Sequence, residues 1–128
     1  MTHTVEITSK NFEKTRQQPG ILLLDFWAAW CAPCRAFGPI FEASAALHPD
    51  LVFGKIDTEA EGALASKFEV RSIPTLMIFK DGTLIYEQPG MVPSSVLEDL
   101  ISQAKALDMA KIEAEVKKQQ AQPGPRPA

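Results

Sequence analysis

The stretch Ile21-Leu22-Leu23-Leu24-Asp25-Phe26-Trp27 constrains the fold of this chain more than any other segment. It is almost continuously apolar, so it lacks the alternation of a strand with one wet face, and it is too short for a core helix. Pro19-Gly20 breaks the chain just before it. Such a run reads as a strand buried on both faces, and strands of that kind belong to sheets covered by helices on both sides. The whole apolar stretch, Ile21 to Trp30, is interrupted by Asp25 and is far below the ~20 residues of a membrane-spanning helix.

The flanking segments keep the same alternation. Thr4 to Ile7 reads as an edge strand, and Ser9 is placed to cap a short helix over 10–17. After the buried strand comes a helical stretch over 32–47, with Phe37, Ile40, Phe41 and Ala45 at helical spacing and Pro39 inside it. A third strand is expected over 51–57. A helix over 59–68 follows, with Ala60, Ala63, Leu64 and Phe68 on one side. Strands over 75–80 and 83–87 form a hairpin through Asp81-Gly82. Pro93-Ser94-Ser95 starts a helix that turns Val96, Leu97, Leu100, Ile101 and Ala104 to the core. The order β-α-β-α-β-α-β-β-α predicts an α/β domain with a mixed sheet and helices on both faces.

One domain over 1–107 suits a chain of 128 residues. Residues 108–120 are rich in helix formers and carry a stripe of Met109, Ile112 and Val116. That stripe is out of register with Leu97, Leu100 and Ile101, so one straight helix would not bury both. A separate helical extension is expected there. Residues 121–128 hold three prolines and are expected to be disordered.

The net charge of -3 speaks against a general nucleic-acid binder. Residues 105–128 have five basic and three acidic side chains, a mild excess that reads as a solvated face rather than an anion-binding tail. The N-terminal residues show no basic segment followed by an apolar run, so reducing cytoplasm is the expected compartment. Two cysteines are no disulfide framework, and a close pair in that compartment points to redox or metal chemistry.

That pair lies in Trp30-Cys31-Ala32-Pro33-Cys34, where the buried strand passes into the long helix. Pro33 suits a first helical turn, where its missing N–H is not needed. Cys31 falls at the helix N-terminus, where unpaired N–H groups and the macrodipole favour a thiolate. Cys34 falls one turn further in and is expected to be more buried. Cys31 is therefore the nucleophile towards a disulfide of another molecule, and Cys34 resolves the mixed disulfide. A zinc site needs two further ligands; there is no third cysteine, and His3 and His48 lack finger spacing, so no metal is expected. Arg35, just after the second cysteine, reads as a solvated helix charge. Asp25 is the other unusual residue, since a carboxylate in that apolar run is costly unless paired or neutralised.

The segment Asp25 to Cys34, together with Ser72-Ile73-Pro74-Thr75 and Gly90, resembles the thioredoxin family over residues 4–104. The resemblance implies the thioredoxin fold, a central mixed five-stranded sheet. It implies a protein dithiol–disulfide oxidoreductase with no bound cofactor. Asp25 would accept the proton of Cys34, and Lys55 would be the partner of that acid. Pro74 would follow a cis peptide bond that faces the cysteines. Trp30, Pro33, Ile73, Pro74, Gly90 and Met91 would form the substrate-binding surface. Ala32 stands where the family usually has glycine, while Pro33 keeps the proline of its reductases. Disulfide-bearing proteins would be the substrates of a monomer. An NADPH-dependent flavoprotein, a thioredoxin reductase, would supply its electrons. Two other readings compete: a thiol oxidase or isomerase, and a binding or chaperone module that uses the same surface without turnover.

Overall fold

The structure, a computed structural model, describes residues 2–121. Of the tail expected to be disordered, 121–128, Ala121 ends the last helix and the rest lies outside the described residues. Five strands, β1 (Val5–Glu6), β2 (Ile21–Trp27), β3 (Val52–Asp57), β4 (Thr75–Lys80) and β5 (Thr83–Pro89), form one sheet in the order β1-β3-β2-β4-β5. The first three run parallel, and β4 and β5 are antiparallel additions on the other side of β2. The helices are α1 (Phe12–Gln17), α2 (Ala32–Leu47), α3 (Gly62–Lys67), α4 (Ser94–Ala106) and α5 (Met109–Ala121).

The period of two in β2 divides the core. Ile21 and Leu23 pack with Phe37 and Phe41 of α2 and with Leu97 and Ile101 of α4. Leu22, Leu24 and Phe26 pack on the opposite face with Phe12 of α1 and Leu64 of α3. Asp25 therefore points to the α2 face, and so does Lys55, which follows Phe53 by two residues in β3. At Gly54 the sheet leaves no room for a side chain: a Cβ there would meet Ile7 Cγ1 at 2.5 Å and Leu24 Cδ2 at 3.0 Å.

Several local expectations are corrected. Ser9 does not cap α1; Asn11 occupies the N-cap, and its Oδ1 accepts the Thr8 N–H at 2.8 Å. Burial of Phe12, the first residue of the helix, sets that start. The third helix is shorter than 59–68. Asp57 Oδ1 accepts the N–H of Glu59 at 2.9 Å and holds 58–60 as a turn, while Glu69 at φ 53 ends the far side. Ala60 and Ala63 are consequently exposed, and Leu64 and Phe68 carry the packing. Val96 does not face the core. It is 40% exposed because the buried stripe of α4 is Leu97, Ile101 and Ala104, and a neighbour in sequence lies about 100° away around the helix.

Helix α4 stops at Leu107, whose backbone is extended, and Asp108 starts α5 by accepting the N–H groups of Ala110 and Lys111. The Lys80 ammonium donates to the carbonyls of Ala104 (2.7 Å), Leu107 (2.9 Å) and Lys105 (3.1 Å). It thus satisfies acceptors that the helix end leaves open. Met109 is buried and Ile112 half-buried. The side chain of Val116, expected on the same stripe, lies outside the described ones.

Candidate active site

Cys31 is the N-cap of α2, with extended backbone (φ -86, ψ 113), and Pro33 lies in the first turn. The Cys34 N–H donates to Cys31 Sγ at 3.2 Å, an N-cap bond made to sulfur instead of oxygen. Cys31 and Cys34 are joined as a disulfide, with Cα atoms 5.2 Å apart. The expected difference in burial is not found, since Cys31 is 4% exposed and Cys34 3%. The loop before β4 comes against Cys31 and covers it. The two sulfurs differ in their neighbours instead. Cys31 Sγ lies 3.6 Å from the Ile73 carbonyl oxygen, whereas Cys34 lines a cavity of about 580 Å³ between α2 and the sheet.

Asp25 lies on that same face of the sheet, fully buried, and neither carboxyl oxygen has a hydrogen-bond partner among the described residues. Burial disfavours the charged form and pushes its pKa up to about 7, while the charge of Lys55 pulls the other way. Asp25 and Lys55 are direct partners in the parallel register. The lysine acts on the acid through space rather than by a hydrogen bond. Its ammonium sits 4.8 Å from the centre of the Trp27 ring, which is half-buried below the cysteines.

The Ile73–Pro74 peptide bond is cis. Thr75 Oγ1 donates to the Ser72 carbonyl at 2.6 Å and the Gly90 N–H donates to the Pro74 carbonyl at 2.8 Å, so both ends of this turn are tied. Gly90 has φ +89, a conformation that favours glycine. Trp30 is 67% exposed and Met91 42%; Pro33 and Gly90 are exposed, and Ile73 is half-buried. Pro74 itself is buried, so it shapes this surface more than it forms it.

Two contacts are not legible in the sequence. The Trp30 indole N–H donates to Glu59 Oε1 at 2.6 Å, which holds a largely exposed ring in place. The Arg35 guanidinium, expected as a solvated charge, donates to the Ala29 carbonyl at 2.9 Å and braces the loop that leads to Cys31. Nothing local marks Glu59, which stands 29 residues from its partner. Among the described residues no group of three or more His, Cys, Asp or Glu side chains is placed to hold a metal ion.

The family model for Thioredoxin matches residues 3–103. A putative thioredoxin 2 of Streptomyces coelicolor is 50% identical over 124 residues, which span 97% of this chain and 92% of that protein. A thioredoxin of Staphylococcus haemolyticus is 38% identical over 76% of this chain and 93% of its own length. Among solved structures, a point-mutant thioredoxin from Halobacterium salinarum superimposes with a TM-score of 0.76 at 31% identity, covering 82% of this chain and 93% of that one.

Proposed function

We propose a division of labour within the site from one premise: the chain belongs to the thioredoxin family and is a protein dithiol–disulfide oxidoreductase. It acts as a disulfide reductase by thiol–disulfide exchange, through its redox-active Cys31–Cys34 pair. In the reduced form the Cys31 thiolate attacks one sulfur of a substrate disulfide. A mixed disulfide forms, and the other substrate sulfur leaves as a thiolate that takes a proton. Asp25 accepts the proton of Cys34. The Cys34 thiolate then attacks Cys31 Sγ, the mixed disulfide breaks and the second substrate thiol departs. Two electrons have passed to the substrate, and the pair is left as the disulfide.

The observation that carries this reading is the placement of a fully buried Asp25, without a hydrogen-bond partner among the described residues, on the sheet face that the Cys34 helix covers, with a pKa near 7. A group half-ionised at neutral pH both takes and returns a proton. Lys55 limits the rise and keeps the acid in that range. Trp30, Pro33, Ile73, Gly90 and Met91, shaped by Pro74, offer a shallow surface to an extended disulfide-bearing segment. The Ile73 carbonyl beside Cys31 supports backbone pairing with it.

Members of this family carry no prosthetic group. An NADPH-dependent flavoprotein reductase re-reduces the pair in our reading, and the protein works as a cytoplasmic monomer. No helix of the described residues is long and apolar enough to cross a membrane. Reduction of insulin disulfides by the wild type and by Cys31→Ser and Cys34→Ser variants tests these roles. Cys31→Ser abolishes turnover without forming an adduct, whereas Cys34→Ser accumulates a mixed disulfide through Cys31. An adduct through Cys34 in the Cys31→Ser variant, at wild-type rate, reverses the assignment.

A further inference from the structure

Methionine occupies positions 1, 77, 91 and 109 of the chain. Met77 lies in the core at 1% exposure, and Met109 is buried at the start of α5. Among the described residues Met91 is the one exposed methionine. Its place is fixed from both sides. Gly90 before it turns the chain at φ +89 and donates its N–H to the Pro74 carbonyl at 2.8 Å. Val92 after it is buried in the core with Leu97. Pro74 follows Ile73, whose carbonyl oxygen lies 3.6 Å from Cys31 Sγ, so Met91 is tied to the loop that covers the nucleophile. The surface around it is short of donors. Of the side chains of Trp30, Pro33, Ile73, Pro74 and Met91, only the Trp30 indole has an N–H, and Glu59 already holds it at 2.6 Å.

We propose that Met91 is a modification site that regulates docking: hydrogen peroxide converts it to the sulfoxide, and the sulfoxide weakens binding of protein disulfides while leaving the Cys31–Cys34 pair unaltered. The inference rests on the reading of Met91 as part of the substrate surface. In the step, the thioether sulfur attacks one peroxide oxygen, an S–O bond forms and the O–O bond breaks. The sulfur is oxidised by two electrons. The leaving oxygen takes the proton of the transferred hydroxyl and departs as water. The disulfide form has no thiolate at Cys31 or Cys34 to compete for the oxidant. Oxidation turns a flexible apolar side chain into a polar one with a strong acceptor. Water satisfies that oxygen in the free protein. A substrate segment seated beside Cys31 displaces the water, and no side chain of the surface has a donor free to replace it, so docking is penalised.

The test treats the disulfide form of the full chain with hydrogen peroxide and maps the product by peptide mass. One oxygen is added at Met91, and Met77 is untouched. After dithiothreitol has reduced the cysteine pair, KM for insulin reduction is raised by about three- to tenfold. The reduction potential of the pair keeps its untreated value, and a methionine sulfoxide reductase returns KM to that of the untreated protein. Met91→Leu has the same KM before and after peroxide. Absence of the added oxygen at Met91 overturns the proposal, and so does a Met91 sulfoxide protein with the KM of the untreated one. A shifted potential overturns it, because the pair itself is then altered. An equal peroxide effect in Met91→Leu also overturns it, because the lesion then lies elsewhere. Failure of the underlying surface reading looks different: Trp30→Ala and Met91→Gln, both untreated, then each keep the wild-type KM.

Discussion

Replacing Asp25 by asparagine converts a buried acid into a neutral group of the same shape, and the structure sets how stability then depends on pH. The carboxyl is raised from 3.8 to about 7 by burial. In the unfolded chain it ionises near its ordinary value. Between the two values the folded state holds a proton that the unfolded state has lost, so unfolding becomes easier as pH rises. The full stability is present below the unfolded value and is lost progressively up to the folded one. A shift of about three units at ~1.36 kcal/mol each places the loss at roughly 4 kcal/mol, all of it incurred by neutral to mildly alkaline pH. Asp25→Asn has no such loss. Neither oxygen of Asp25 has a partner among the described residues, so the amide breaks no hydrogen bond made by them. The variant is therefore about as stable as the wild type below about pH 4, gains on it progressively through mild acid, and is more stable by roughly 4 kcal/mol above neutrality. Denaturant unfolding of the two oxidised proteins at a series of pH values measures the difference. A stability difference that stays flat from about pH 4 to about pH 9 refutes the reasoning, because it means the acid is no less solvated in the fold than in the unfolded chain. The same variant slows release of the mixed disulfide and removes the limb of the rate profile that the carboxyl controls.

Gly54→Ala forces a Cβ into Ile7 and Leu24 and costs about 1–3 kcal/mol, measured by chemical denaturation, with the cysteine chemistry retained once folded. Lys80→Met leaves the carbonyls of Ala104, Lys105 and Leu107 without their shared donor, so amide exchange quickens at the α4–α5 junction and stability falls by about 1–2 kcal/mol. Truncation after residue 107 leaves insulin reduction nearly unchanged, since among the described residues none after 107 lines the hollows beside the cysteines; a large loss of activity assigns residues 108–128 to the working domain. Glu59→Ala frees the Trp30 ring, which shows as altered tryptophan emission and a fall of about two- to threefold in kcat/KM on protein disulfides.

The features that could be read from the chain were local ones. The apolar run of β2, the Asp-Gly hairpin and the proline in the first turn of α2 each follow from side-chain period or backbone preference within a few residues. The strand–helix junction that carries Cys31 and Cys34 was legible for the same reason. Where local signals compete, the chain alone does not choose between them. Ser9 and Asn11 are both good capping residues, and only the burial of Phe12 chose between them. Val96 and Leu97 are both apolar, and only the packing of α4 on α2 showed which one turns inward.

The order of elements, the dithiol at a helix start and an acid inside an apolar strand depend on residues adjacent along the chain, and so they are written in it directly. Tertiary structure alone decided who meets whom. Parallel register set Asp25 opposite Lys55, the turn before β4 brought the Ile73 carbonyl to Cys31 across 42 residues, and the N-terminal segment came to rest on Glu42. Register and crossover connections arise from the balance of packing over the whole sheet. No stretch of a few residues encodes them, and the proton chemistry of the site depends on them directly.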